Sequence, residues 1–143
     1  MKKIIAIDVG NSETTVGVGN SNEWTGYRFT TRKTITSDEL LMMFKTIIDI
    51  KPIKENKVDG AIICSVVPQI TNSVALATSK FISKEAIVVG PGIKTGLKVN
   101  IDNPKELGPD RIANSIGGYM KVESPVIVVD LGTATTFDLV NEK

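Results

Sequence analysis

The sequence predicts an α/β fold, in which a mixed sheet with the element order βββαβαβα is followed by the first hairpin of a second, similar domain. Two observations support this prediction. Apolar residues first alternate in three consecutive segments, as they do in strands. Segments with helical spacing and segments with strand spacing then follow one another, an order typical of a sheet with an antiparallel side and parallel crossovers. In addition, residues 4–18 (IIAIDVGNSETTVGV) return as residues 126–140 (VIVVDLGTATTFDLV).

The antiparallel side is expected first in the chain. Strands are predicted at residues 4–7, 14–18 and 24–31, with a turn at residues 20–23. In the third strand, alternation places Tyr27 and Phe29 on the face opposite to Trp24 and Arg28. Three consecutive strands with short connections indicate an antiparallel meander.

Helices and buried strands follow. Thr36 and Glu39 have the spacing of a capping box and predict a helix that continues to Pro52. The apolar run at residues 58–64 predicts a strand covered on both faces, and Pro68 opens a second helix. A further buried strand is predicted at residues 86–89 and a third helical region from residues 102–104 to about residue 122.

The repeat restarts after residues 123–125, which predicts a first domain at residues 1–123 and the start of a truncated second domain at residues 124–143. A lone two-stranded hairpin is only marginally stable in water. We therefore expect the second hairpin to pack on the first domain, on another chain or on further polypeptide.

Composition excludes several classes of function. Seventeen basic and sixteen acidic residues give a net charge of +1, which provides no broad field for nucleic acid or for an anionic membrane. Cys64 is the only cysteine and histidine is absent, so disulfides, zinc-finger-type sites and imidazole bases are excluded. A carboxylate must do any proton transfer. Neither a signal peptide nor a membrane span is recognisable, and a cytoplasmic location is expected.

Each copy of the repeat places an Asp-x-Gly turn after an apolar strand, and aligns Asp8 with Asp130, Gly10 with Gly132 and Thr14 with Thr136. Glycine permits backbone angles that aim successive N–H groups into one concavity, and the acid at the strand end can face a hydrated cation. Two such turns facing each other would hold a nucleoside triphosphate. The alternative is a pair of ordinary hairpins that share turn chemistry.

Three motifs carry a resemblance to a known family: DVGNS at residues 8–12, DNPKELGPDR at residues 102–111 and DLGTATT at residues 130–136. With them the chain resembles the superfamily of acetate and sugar kinases, chaperone ATPases and actin, and more closely the type III pantothenate kinases. The resemblance implies a ribonuclease H-like (actin-like ATPase) fold. Ser12 stands where the family commonly has Thr, and Pro109 stands where it commonly has Ala. A proline is tolerated in a first helical turn.

The resemblance implies that ATP is bound by both turns, and the position of Asp8 at the end of a strand suits Mg²⁺ held through water. The residues implied in ATP binding are Asp8, Val9, Gly10, Asn11, Ser12, Glu13, Thr14, Thr15 and Thr133. It assigns Asp130 to a monovalent cation, potassium or ammonium. Oxygen-rich turns suit hard cations, but composition leaves potassium and magnesium equally open.

The segment Gly108, Pro109, Asp110 and Arg111 is implied to bind pantothenate, with Asp110 as the catalytic residue and Arg111 as a fixed cation near substrate or phosphate. An ordinary aspartate has a pKa of about 3.9, so alignment of the substrate hydroxyl is a better role for Asp110 than outright deprotonation. The alternative is a solvated Asp–Arg pair at a helix start, where acids are favoured in any case.

The resemblance thus implies ATP-dependent phosphorylation of pantothenate, the first step of coenzyme A synthesis, by a homodimer without nucleic-acid or membrane partners. We expect residues 1–143 alone to have little or no activity. Two other functions stay open at this point: another small-molecule kinase of the superfamily, and a catalytically lapsed relative with a regulatory or accessory role.

Overall fold

A computed structural model of the chain describes residues 2–50, 58–90, 92–122 and 125–142. The chain forms two compact units, Met1–Val88 and Val89–Lys143. The predicted domain boundary at residues 123 and 124 lies outside the described residues, and it stays a prediction.

The order of helices and strands agrees with the prediction. The first unit contains β1 (Ile4–Val9), β2 (Glu13–Gly19), β3 (Trp24–Thr30), α1 (Ser37–Ile50), β4 (Gly60–Ser65), α2 (Pro68–Ile82) and β5 (Ile87–Val88). The second contains a short 3₁₀ turn (Pro104–Glu106), α3 (Pro109–Val122), β6 (Val126–Leu131) and β7 (Thr135–Val140). The chain therefore has the predicted βββαβαβα order followed by a hairpin.

The first unit is built on a five-stranded mixed sheet with the strand order β3-β2-β1-β4-β5. Strands β1, β2 and β3 pair antiparallel, whereas β4 pairs parallel with β1 and with β5. This is the antiparallel side with parallel crossovers that the sequence predicts. Asp8 lies near the end of the central strand β1, opposite Thr15 on one side and Cys64 on the other.

One face of this sheet forms the core of the first unit. Apolar side chains of β1, β2 and β4 pack there with the apolar stripes of α1 and α2. The buried residues of this cluster include Ile5, Ile7, Val9, Val16, Val18, Leu40, Phe44, Ile63, Ile70 and Val74. Helical spacing aligns each stripe with the sheet, so burial of apolar area stabilises helices and strands together.

Helix α1 begins with the predicted capping box. The backbone N–H and the hydroxyl of Thr36 both donate to Glu39 Oε2 at 2.9 Å, and the Glu39 N–H donates back to Thr36 Oγ1 at 3.3 Å. The bonds from Thr36 hold the pKa of the Glu39 carboxyl below its ordinary value. The predicted end of the helix at Pro52 lies outside the described residues.

The prediction that β4 is covered on both faces holds for only part of the strand: Cys64, on the same face as Ile62, is buried. Ala61 and Ile63 are buried, but Ile62 between them is 39% exposed. Both helices of this unit pack on the side of Ala61 and Ile63, so the intervening side chain points to the other face. An uninterrupted apolar run does not distinguish these two cases.

In the second unit, α3 packs against one face of the β6–β7 hairpin. A Cβ atom on Gly118 would lie 2.6 Å from Val128 Cγ2, so the helix approaches the strand as closely as glycine allows. Ser115 and Val140 are buried in the same unit. The opposite face of the hairpin is apolar and exposed: Ile127, Val129, Leu131, Phe137 and Leu139.

The two hairpins differ by one residue in the turn. Val9 pairs with Thr14 in the first hairpin, whereas Leu131 pairs with Thr135 in the second. The structural counterpart of Thr14 is therefore Thr135, which corrects the sequence alignment of Thr14 with Thr136. The alignment has no gap and so cannot show a turn that is shorter by one residue.

None of the helices in the described parts of the chain is both long enough and apolar enough to span a bilayer.

Candidate active site

The turn between β1 and β2 is closed by backbone bonds and by a threonine from β3's end. The Gly10 N–H donates to Glu13 O at 3.0 Å, and the Thr31 N–H donates to Ser12 O at 2.9 Å. The Thr31 hydroxyl donates to Gly10 O at 2.7 Å and lies 2.9 Å from the hydroxyl of Thr14. Thr31 was not among the predicted site residues, although the meander itself brings its strand beside the turn.

Gly10 was expected to be needed for its permissive backbone angles, and the structure gives a different reason. Gly92 and Gly96 are the glycines with positive φ in the described residues, and Gly10 is not among them. A Cβ atom on Gly10 would instead lie 2.9 Å from the backbone oxygen of Glu13. Glycine is therefore needed here because two backbone segments approach closely.

The residues predicted to bind ATP in this turn differ in solvent exposure. Asp8, Asn11, Ser12 and Glu13 are exposed, Thr14 and Thr15 are half-buried, and Val9 is fully buried. Val9 is 0% exposed as a whole residue, and its carbonyl oxygen accepts a bond from the Val66 N–H at 3.0 Å, so it does not face a ligand in this structure. Within the described residues, no turn bond uses the N–H of Asn11 or of Ser12. The turn thus has an exposed polar edge with backbone donors, as an anion site requires.

The predicted substrate segment forms the start of α3. The helix begins at Pro109, so the proline occupies the first turn as expected and Asp110 lies at the positive end of the helix dipole. Asp110 Oδ1 accepts a bond from the Arg111 N–H at 2.9 Å. A Cβ atom on Gly108 would lie 2.3 Å from that same oxygen, so the glycine makes room for the carboxylate.

Arg111 is held by an acid of the hairpin. Its Nε donates to Asp138 Oδ1 at 3.0 Å and to Oδ2 at 3.2 Å, and its Nη2 donates to Oδ1 at 2.5 Å. This pairing with Asp138, with a smaller contribution from the nearby charge of Asp110, raises the pKa of Arg111 above its ordinary value. Sequence reasoning missed Asp138; its signal is a single acid between the apolar residues Phe137 and Leu139 of β7.

Asp130 and Thr133 lie at the second turn. Asp130 Oδ2 accepts a bond from Asn114 Nδ2 of α3 at 3.0 Å. Opposite Asp130 in the hairpin is Thr136, whose hydroxyl oxygen is buried without a hydrogen-bond partner in the described residues. Thr133 is exposed at the tip of the turn, which is closed by a bond from Gly132 N–H to Ala134 O at 3.2 Å.

The second unit therefore contains the predicted substrate segment together with Asp130 and Thr133. Helix α3 connects Asp110 and Arg111 at its start with Asp130 and Asp138 of the hairpin. The first turn, with Asp8, belongs to the other unit, and convergence of the two turns on one nucleotide stays a prediction. Among the described residues, no group of three or more histidine, cysteine, aspartate or glutamate side chains could hold a metal.

Comparison with known proteins identifies the family. A sequence profile described as type III pantothenate kinase matches residues 4–143. A type III pantothenate kinase from an Exiguobacterium species is 38% identical over 141 residues, which are 98% of this chain and 56% of that protein. The enzyme from Bifidobacterium longum subsp. infantis is 41% identical over 139 residues, 96% of this chain and 54% of that protein.

Among solved structures, the PPX-GPPA enzyme of Aquifex aeolicus aligns with this chain with a TM-score of 0.46 and 13% sequence identity. The alignment covers 98% of this chain and 48% of the Aquifex chain. The chain spans about half the length of the pantothenate kinases that it matches. On the family profile and on these relatives, the chain belongs to the type III pantothenate kinase family.

Proposed function

We propose that this chain, in a protein as long as its relatives, transfers the γ-phosphoryl group of ATP to the primary hydroxyl of pantothenate and yields 4'-phosphopantothenate, the first step of coenzyme A synthesis. Family membership supports the reaction class. The placement of the site is supported by the geometry at the start of α3. There Gly108 leaves space for the Asp110 carboxylate, and Arg111 is held by its ion pair with Asp138.

Phosphoryl transfer passes through a loose transition state, so the protein mainly positions the reactants and balances charge. The pantothenate hydroxyl oxygen attacks the γ-phosphorus, the bond to the ADP oxygen breaks, and the hydroxyl proton passes late in the step to the Asp110 carboxylate and from there to water. Asp110 accepts the hydrogen bond of that hydroxyl and aligns it. The guanidinium of Arg111 faces the anionic part of the substrate or the phosphate.

The two turns supply the nucleotide contacts in this proposal. Backbone N–H groups of Asn11 and Ser12, with the hydroxyls of Ser12 and Thr133, bind phosphate oxygens. The exposed Asp8 would hold Mg²⁺ through water, since this ion usually keeps several waters in proteins, and the ion would supply positive charge to the phosphates.

A monovalent cation, potassium or ammonium, fits beside Asp130. The orphaned, buried hydroxyl of Thr136 lies opposite that carboxylate and is an oxygen ligand of the type that hard cations take. We also propose a domain boundary at residues 123 and 124, where the sequence repeat restarts, a cytoplasmic location and, on the family resemblance, a homodimer.

The test is a coupled ADP-release assay with the complete reading frame, supplied with pantothenate, sugars, acetate or no acceptor. Pantothenate-dependent ADP release and a phosphorylated product of the expected mass would support the proposal. Replacement of the aligning carboxylate in Asp110→Asn should lower kcat about 10²-fold to 10⁴-fold. Asp38→Asn, which changes an exposed acid of α1, is the matched control.

Release of ADP that does not depend on pantothenate, or transfer to another acceptor, contradicts the proposal. Residues 1–143 alone are expected to show little or no transfer under the same conditions.

A further inference from the structure

The fork between Arg111 and Asp138 suggests a role for an acid that sequence motifs do not single out. We propose that Asp138 is a positioning residue: it orients the Arg111 guanidinium so that the remaining N–H groups grip a carboxylate or phosphate group of the ligand at the start of α3. This inference rests on the proposed function and names a residue that governs ligand binding at the same site.

The geometry divides the guanidinium into two edges. Nε and Nη2 donate to the carboxylate of Asp138 along one edge. The other edge, formed by Nη1 and the outer hydrogen of Nη2, has no hydrogen-bond partner within the described parts of the chain. The Asp138 side chain is 13% exposed and that of Arg111 is 30% exposed, so the acid is shielded while the arginine reaches solvent.

The hairpin itself does not need an acid at this position. Val128 pairs with Asp138 in the second hairpin, and the corresponding pair in the first is Ala6 with Gly17. The first copy therefore folds into the same hairpin with no side chain at that place. The acid is an addition of the second copy, on the face that meets α3.

The acid also lies on a closely packed support. Gly118 brings α3 into close contact with Val128, the ladder partner of Asp138, and Ser115 is buried in the same unit. A guanidinium fixed by a planar fork to such a support loses little further freedom when it binds a ligand. Orientation, rather than charge, is what Asp138 adds.

Charge and orientation make opposite predictions, and this allows a clear test. Asp138 partly cancels the positive charge of Arg111. If it served only as a counter-charge, Asp138→Asn would strengthen anion binding. If it orients the guanidinium, the same variant weakens anion binding although the local charge becomes more positive.

The first measurement is steady-state kinetics on the complete reading frame. Asp138→Asn is expected to raise the KM for pantothenate about tenfold or more, because a group displaced by about 1 Å can cost up to 10²-fold. Asp138→Glu, which restores a carboxylate, should recover part of the loss. In an Arg111→Lys background, Asp138→Asn should have little further effect, since lysine has no fork to orient.

The second measurement does not depend on turnover. The chain has arginines at positions 28, 32 and 111, so ¹⁵N spectra of the arginine Nε–H groups of the 143-residue chain can be assigned with Arg111→Lys. Titration with pantothenate, and separately with inorganic phosphate, should shift the Arg111 signal. The dissociation constant should rise about tenfold or more in Asp138→Asn. The probe that shifts the signal distinguishes a carboxylate ligand from a phosphate ligand.

The outcomes separate this inference from the proposed function. If pantothenate is phosphorylated and Asp138→Asn has wild-type kinetics, the positioning role is wrong and the function stands. If no acceptor is phosphorylated but phosphate shifts Arg111 in an Asp138-dependent manner, the function is wrong and the positioning role stands. Tighter binding in Asp138→Asn, no response of Arg111 to either probe, or a loss explained entirely by a lower Tm overturns the positioning role.

Discussion

At the scale of single residues, two glycines in the second unit have opposite surroundings. A Cβ atom on Gly108 would collide with the carboxylate of Asp110, whereas one on Gly117 would meet nothing within 4 Å. Both are glycines of the same short region, but only the first leaves room for a reacting group. This contrast allows loss of site geometry to be separated from loss of helix stability.

Gly108→Ala is expected to displace the Asp110 side chain, because that flexible carboxylate must yield to a Cβ 2.3 Å away. We predict that kcat falls about 10²-fold in the ADP-release assay with the complete reading frame, since small misplacements at a reacting centre are costly. The Tm should change little. Gly117→Ala is the control and should retain kcat; equal activity of both variants contradicts the role given to Gly108.

At the scale of elements, the packing of α3 on the hairpin depends on the absence of a side chain at position 118. Gly118→Ala would place a Cβ 2.6 Å from the stiff, β-branched Val128. We predict a loss of about 1–3 kcal/mol in the free energy of unfolding, measured by urea denaturation, because overpacking forces the two elements apart.

Gly117→Ala in the same helix should instead raise the free energy of unfolding by up to about 1 kcal/mol, the difference in helix propensity. The two substitutions add the same atoms one position apart. Equal effects would contradict the packing described for α3.

The capping box of α1 makes a pH-dependent prediction. Because the pKa of Glu39 is lowered in the folded chain, its contribution to stability is complete above the ordinary glutamate pKa of about 4.3 and is lost as the pH falls through the lowered value. Thr36→Ala should cost about 1 kcal/mol near neutral pH. Its effect should shrink in acid, when the box in the wild type is also broken.

Urea denaturation of the wild type and of Thr36→Ala, from neutral pH to a pH of about 3, measures the difference in their free energies of unfolding. This range spans the pKa of unperturbed glutamate, about 4.3. Thr46→Ala is a suitable control: its hydroxyl donates to Met42 O within the same helix and does not contact Glu39. A Thr36→Ala effect that is constant over this range would contradict the role of the glutamate.

At the scale of the whole molecule, the two hairpins have equivalent apolar faces in different environments. Ile5, Ile7, Val9, Val16 and Val18 are buried under α1 and α2. Their counterparts in the second hairpin are exposed, with Phe137 at 67% and Leu131 at 80%. Exposed apolar patches of this kind favour association.

We therefore predict that the 143-residue chain binds a hydrophobic dye and associates with increasing concentration. Phe137→Ser with Leu139→Ser should reduce both effects, measured by dye fluorescence and by sedimentation. Met42→Ser, which changes an exposed apolar residue of α1, should leave them unchanged. Undiminished association of the double variant would contradict a role for this face.

Much of the fold could be predicted because the relevant signals are local. Strand alternation, the Thr36–Glu39 spacing and Pro109 at a helix start each act within a few residues. The covering of β4 could not be predicted, since apolar content does not show on which face the helices pack.

In the candidate site too, contacts between neighbours in sequence could be predicted and contacts between distant residues could not. The motifs predicted Asp110 and Arg111 together, because the two residues are adjacent. Thr31 contacts Gly10, which is 21 positions away in the sequence, and Asp138 contacts Arg111, which is 27 positions away. Both contacts depend on a strand register that the sequence does not display. Their roles became visible only when the pairing of strands was known.

The two hairpins show where an added residue can be accommodated. The first turn holds four residues and the second three, and the ladder beyond each turn is regular. An extra residue between Thr136 and Phe137, within β7, would instead reverse the facing of the positions that follow it, unless a bulge absorbed it. Asp138 would then turn outward, and Phe137 and Leu139 would lie against α3. Changes in chain length during evolution are therefore expected in the turn and not in the strand beyond it.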